Sequence, residues 1–163
     1  MNKEKAMKTV RYALIFLILA TLVFIYAQSF KSPVESAEDS NKVGDIIAEI
    51  IPPDTKPGEF VQTNIRKLAH FTEFFVLGAE IAVYALLFTR GAWSWAIRFA
   101  LGLILALFDE TVQMFTKRAP EIRDVWIDFL GYASALLIAS GVFFAVRLLV
   151  MEIIKRKNRK QNG

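Results

Sequence analysis

Three observations predict an all-α polytopic membrane protein, with four transmembrane helices in a bundle and a short interfacial amphipathic helix. Of the 163 residues, 55% are hydrophobic and the mean hydropathy is +0.39; a soluble chain is about 45–50% apolar, and a small domain has little interior in which to hide a surplus. Four stretches approach the ~20 apolar residues that cross a bilayer core. Most of the acidic residues inside those stretches gather toward one side. Cysteine is absent and histidine occurs once, which excludes disulfides, thiol nucleophiles, thiolate metal sites and multi-histidine metal sites.

The whole chain, 1–163, reads as a single membrane domain. The first span, about 10–30, follows a basic start and carries no charge after Arg11. Ala27-Gln28-Ser29 has small residues at a signal-cleavage spacing, but the apolar run exceeds the usual signal core, so a retained anchor is expected. The connection 31–65 is the one long loop. Its Ser36–Asn41 portion is polar and flexible in character. From Asn41 onward, Val43, Ile46, Ile47, Ile50 and Ile51 recur at helical spacing, a short amphipathic helix stopped by Pro52-Pro53. It either lies in the membrane interface or packs on the bundle top. Pro57-Gly58 predicts a second break. The remaining spans are expected at about 67–88, 95–115 and 125–149, followed by a basic tail at 152–163.

Charge placement sets the topology. With an internal N-terminus, twelve of the 20 basic residues fall in inner segments, where the acids are only Glu4 and Glu152. The outer segments hold eight basic and nine acidic residues. The positive-inside rule then places both termini in the cytoplasm of a multi-pass cell-membrane protein. The net charge of +4 reads as a topology anchor touching anionic lipid, and nucleic acid is not an expected partner.

Ionisable groups within a membrane are costly and default to a functional hypothesis. His70 and Glu73 lie near the outer end of the second span. Asp109, Glu110 and Gln113 lie near the outer end of the third; Asp124 and Asp128 open the fourth. At roughly 100° per residue, Arg66, His70, Glu73 and Glu80 share one stripe, and Asp124, Asp128, Gly131 and Ala135 share another. Gly131 and Ala135 have the small-residue spacing that lets a neighbouring backbone approach. The result is a shallow polar cup at the outer leaflet, rimmed by Arg66, Lys67, Arg118 and Arg123. Glu80, near mid-depth, is read as an internal hydrogen bond. Trp93, Trp95 and Trp126 are read as interfacial anchors, the Phe71, Phe74 and Phe75 stripe as lipid or helix contact, and Ser134 and Ser140 as packing residues.

Three readings of the cup stand together. Buried charges need partners, so an ion-pair network, such as Arg118 with Asp109 or Glu110, or Arg123 with Asp128, satisfies them structurally. A divalent cation as cofactor suits the carboxylates of Glu73, Asp109, Glu110 and Asp128 with an amide and an imidazole. Recognition of an amphiphile uses arginine and lysine on a phosphate and the carboxylates on amines or as acid and base.

The cup's residues carry a family resemblance. Lys67-Leu-Ala-His70-Phe71-Thr-Glu73-Phe74 with Leu77-Gly78 resembles the first signature of the VanZ-like family. Asp109-Glu110-Thr-Val-Gln113-Met-Phe115 followed by Arg118 resembles the second, and Asp124, Asp128 and Gly131 match the spacing of the third. Two positions depart: Phe74 stands where tyrosine is usual, and Asp128 where asparagine is usual. The resemblance implies a bacterial cell-envelope membrane protein of a family associated with teicoplanin resistance, and it brings no settled reaction. The combined expectation is binding of membrane lipid, a lipid-linked wall-precursor head group, a lipoglycopeptide or a cation by Lys67, His70, Glu73, Asp109, Glu110, Gln113, Arg118, Asp124 and Asp128. The alternative is a metal-assisted membrane enzyme acting on a lipid-linked phosphate or acyl group.

Overall fold

The computed structural model describes residues 3–89, 93–116 and 121–161, without the side chains at 93, 94 and 156–161. Five helices account for nearly all of them: α1 (Lys3–Ser29), α2 (Pro33–Ala48), α3 (Lys56–Phe88), α4 (Trp93–Phe115) and α5 (Ile122–Gln161). No strand occurs among the described residues. The all-helical expectation holds, and the departures lie at the helix ends and in the number of apolar spans.

Those ends follow from capping chemistry. α2 starts at Pro33, not near Asn41, because Ser32 forms a capping box: its hydroxyl accepts from the Glu35 N–H (3.3 Å) and the Glu35 carboxylate accepts from the Ser32 N–H (2.8 Å). Two satisfied donors and a proline in the first turn hold the polar 36–41 segment helical. α2 closes at Ala48, leaving Ile50 and Ile51 in a turn on the Ile47 carbonyl. Pro57-Gly58 is likewise no break. Thr55 caps α3 by accepting from the Gly58 N–H (3.2 Å), and Pro57 occupies the first turn, where its missing N–H costs nothing. α3 therefore reaches 33 residues and α5 40, about 50 and 60 Å at ~1.5 Å per residue, longer than a ~30 Å hydrocarbon core.

The count of four apolar spans is corrected to three. α1, α3 and α5 are long and apolar enough to cross a membrane. α4 differs because every 18-residue stretch of it contains Arg98, Asp109 and Glu110. All three are buried, while Ile97, Leu101, Ile104, Leu107 and Phe108 face outward from α4. Its charges turn toward the other helices.

α3 and α5 form the spine. Two glycines let their backbones touch: a Cβ on Gly78 would collide with the Tyr132 carbonyl, and one on Gly131 with the Phe71 carbonyl. Phe74, Leu77, Tyr132 and Leu136 fill the core along this seam, with Ile25 from α1 and Ala106 from α4 closing it. The Phe71, Phe74 and Phe75 stripe thus includes one core residue, Phe74. Ser134 and Ser140 bond to the Gly131 and Leu136 carbonyls of their own helix, as packing residues do. α2 rests on α3, where Gln62 donates to the Gly44 carbonyl (2.8 Å).

Candidate functional site

At one end of the bundle, four helices bring polar groups together. α1 contributes its last residue, Ser29; α3 contributes Arg66 and His70; α4 contributes Asp109, Glu110 and Gln113; α5 contributes Asp124 and Asp128. Ser29, Asp109 and Asp128 have no solvent-exposed surface, and Gln113, Glu110, His70 and Asp124 are buried.

The contacts form a chain. Asp109 accepts from the Ser29 hydroxyl and from Gln113 Nε2 (2.7 Å). Gln113 Oε1 accepts from Arg66 Nη2 (3.1 Å), and the same nitrogen lies 3.8 Å from Asp124 Oδ2. His70 Nδ1 sits between two carboxylates, 3.7 Å from Asp109 Oδ2 and 3.6 Å from Asp128 Oδ1. Both separations exceed hydrogen-bond length. One ligand atom from each of His70, Asp109 and Asp128 lies within 4.8 Å of the others. Asp128 is the exceptional member: both carboxylate oxygens are buried and neither has a hydrogen-bond partner among the described residues.

The other expected residues separate. Glu110 Oε1 accepts from the Glu121 N–H (2.6 Å) and so ties the start of α5 to α4. Asp124 occupies the first turn of α5, where the helix dipole favours an acid. Glu73 turns toward α1 and α2, into a crevice it shares with Arg66 and His70. Lys67, one residue beyond Arg66, lines a different groove together with Arg123. Arg123 thus lines a groove away from Asp128, and among the described residues Arg66 is the arginine that meets the acids. Arg118 and Lys117 lie outside the described residues, as do the side chains of Trp93 and of the basic tail from residue 156. Glu80 accepts from Thr21 (3.0 Å), as an internal bond should.

Ser29 is the site residue that the sequence reading missed. Its signal was its depth: the last turn of the first span lies level with Asp109. A single serine at the end of an apolar helix has no periodic pattern to mark it.

The crevice wall contributed by α2 is charged. Lys31 Nζ lies 2.5 Å from Asp39 Oδ2, and Lys42 lies 3.6 Å from Oδ1. The Lys31 hydrogen bond and charge hold the Asp39 carboxyl below its ordinary range. The Ser32 hydroxyl and N–H do the same for Glu35.

Long apolar helices around a buried cluster of acids and an imidazole, with the half-exposed Arg66 guanidinium at its edge, define a helical membrane protein with an internal polar site. The chain belongs to the VanZ/LLP1 family, whose model matches residues 14–146. That range includes most of α1, whose Ile25 and Ser29 are buried in the bundle. No curated protein and no solved structure matches the chain.

Proposed function

We propose that this protein is a multi-pass envelope protein whose outward-facing end holds a cation between His70, Asp109 and Asp128, beside a crevice that receives a polar head group. In this arrangement α4 is the fourth span. Its 23 residues extend about 34 Å, enough for a ~30 Å core, and its inward charges leave an apolar face for lipid. The excess of basic residues in the segments joined to both termini supports a cytoplasmic location for them.

One observation carries the reading: Asp128 is fully buried, and neither of its oxygens has a hydrogen-bond partner among the described residues. Leaving a buried charged acceptor without a partner costs several kcal/mol. Two carboxylates facing one imidazole favour positive charge between them. Carboxylate oxygens with one imidazole nitrogen suit a hard or borderline divalent ion such as Mg²⁺ or Mn²⁺, or an ammonium group of an amphiphile. His70 belongs both to this trio and to the crevice wall, so a head group in the crevice lies next to the cation. Family membership supports a lipid-linked wall precursor or a lipoglycopeptide as the source of that head group, and with it a role in glycopeptide resistance.

Mn²⁺ titration of the purified full chain, followed by electron paramagnetic resonance, tests the site. The expected result is one bound ion, with affinity reduced about tenfold or more in Asp128→Asn and Asp109→Asn, a change of ~1.4 kcal/mol or above. Equal Mn²⁺ uptake by wild type and Asp128→Asn would sink the proposal. A second reading, metal-assisted turnover of a lipid-linked phosphate or acyl group, draws on the same trio bordering the crevice. It requires turnover that chelator abolishes and Mn²⁺ restores.

A further inference from the structure

Two cavities meet between α1, α2 and α3. The larger, about 660 Å³, has an apolar wall that includes Leu17, Ala20, Val43, Ile65 and Val76. The smaller, about 350 Å³, is more polar and includes Gln28, Asp39, Lys42, Arg66 and His70. Phe24, Val43, Ile65, Ala69 and Glu73 line both, so the two are continuous. Volumes of this size match small-molecule sites, in which an apolar wall supplies area and a few polar groups fix orientation. From Ile65 to Val76 the α3 wall runs about 16 Å, close to the ~15 Å depth of one hydrocarbon leaflet.

Glu73 stands where the apolar and polar portions join. Its Oε2 is buried and has no hydrogen-bond partner among the described residues. A carboxylate at that position disfavours plain hydrocarbon alone and calls for a donor from whatever fills the space. α2 covers the polar portion with the Lys31–Asp39 pair and Lys42, so the head of an occupant meets charge while its tail meets aliphatic side chains.

We infer that the joined cavities take one acyl chain of an amphiphile that carries a hydroxyl or amide N–H where head meets tail, and that this donor bonds Glu73 Oε2. The inference names the ligand class of the crevice proposed above and rests on that reading. The chain lies between α1 and α3 at the depth of one leaflet, and the head points past Glu73 toward Arg66 and His70. No bond is made or broken.

The test uses the purified full chain in detergent micelles, read by native mass spectrometry with two probes: monopalmitoylglycerol, which has free hydroxyls at the junction, and methyl palmitate, which has none. Wild type is expected to retain monopalmitoylglycerol about tenfold better, the scale of one buried hydrogen bond. Glu73→Leu erases that preference. Ala20→Trp, which fills the apolar portion, lowers retention of both probes about tenfold; Val76→Trp does so from the opposite wall if the first variant fails to fold. Equal retention of the two probes by wild type, or full retention by the tryptophan variants, overturns the inference. Mn²⁺ binding on the same preparations separates the two readings. Intact Mn²⁺ binding with inert groove variants removes the acyl groove alone, whereas Mn²⁺ binding unaffected by Asp128→Asn, with a responsive groove, removes the cation site alone.

Discussion

The two ends of the bundle handle charge in opposite ways. At the end opposite the acidic site, Arg98 donates to Thr89 Oγ1 (2.5 Å) and lies 4.8 Å over the Trp95 ring, the Tyr132 hydroxyl donates to the Arg98 carbonyl (3.1 Å), and Arg11 donates to Tyr84 (3.2 Å). Arginine manages this because its long stem can lie along apolar surface while its head reaches a polar partner. At the acidic end the side chains are short. Asp128 cannot reach out of the seam between α3 and α5, and among the described residues neither of its oxygens has a hydrogen-bond donor. Charge at the arginine end is accounted for by folding and orientation alone. Charge at the acidic end is only partly met by Arg66 and His70, and under the proposed reading a bound cation completes it.

The largest effect is expected where the contrast depends on backbone approach. Gly131→Leu would force α5 away from the Phe71 carbonyl, destabilising the protein by about 3 kcal/mol or more and scattering the acids, as thermal unfolding in detergent would report. A folded Gly131→Leu protein with unchanged Mn²⁺ binding would contradict the close seam. Next in size is a pair of changes with opposite signs. In chelator, Asp128→Asn should raise stability by about 1–3 kcal/mol, because a fully buried carboxyl with no hydrogen-bond donor among the described residues is replaced by an amide that carries no charge to desolvate. Arg98→Leu should lower it by about 1–2 kcal/mol through loss of the Thr89 and Trp95 contacts. Destabilisation by both would mean that the two ends are alike. Adding Mn²⁺ should reverse the first sign, since a bound ion stabilises wild type and not the variant.

The smallest effect concerns the α2 cover. Glu35 and Asp39 are held below their ordinary carboxylate range by Ser32 and Lys31. Groups lowered in the folded state contribute stability above their unfolded values and lose it as the pH falls through the folded ones. Because both are solvent-exposed, the contribution is slight. Docking of α2 on α3, read as the distance between spin labels on the two helices, should stay constant at neutral pH and loosen only below about pH 4. Loosening between pH 6 and 8 would point to a different group.

Hydropathy and angular spacing located α1, α3 and α5 and grouped the polar residues of α3, α4 and α5, because both signals are local. The rest was not local. Arg66 and Lys67 differ by one position, about 100° around the helix, and that rotation sends one to Gln113 and Asp124 and the other to the groove with Arg123. The start of α2 was misread because Ser36–Asn41 looks flexible by composition, whereas the Ser32–Glu35 box sits ahead of it. α4 resembled the other spans by pattern, yet its three charges set it apart from them in apolar length.

Composition and periodicity were enough to establish a helical membrane chain with costly acids gathered toward one end, since hydrophobic burial and helical repeat depend on residues near one another in sequence. Which acid would be satisfied by a neighbour and which would be stranded depended on packing. Ser29 and Gln113 reach Asp109, while Gly78 and Gly131 bring α5 close to α3 and leave Asp128 fully buried. Hydrogen bonds act over about 3 Å, and residues 80 positions apart come within that range only after the helices have packed.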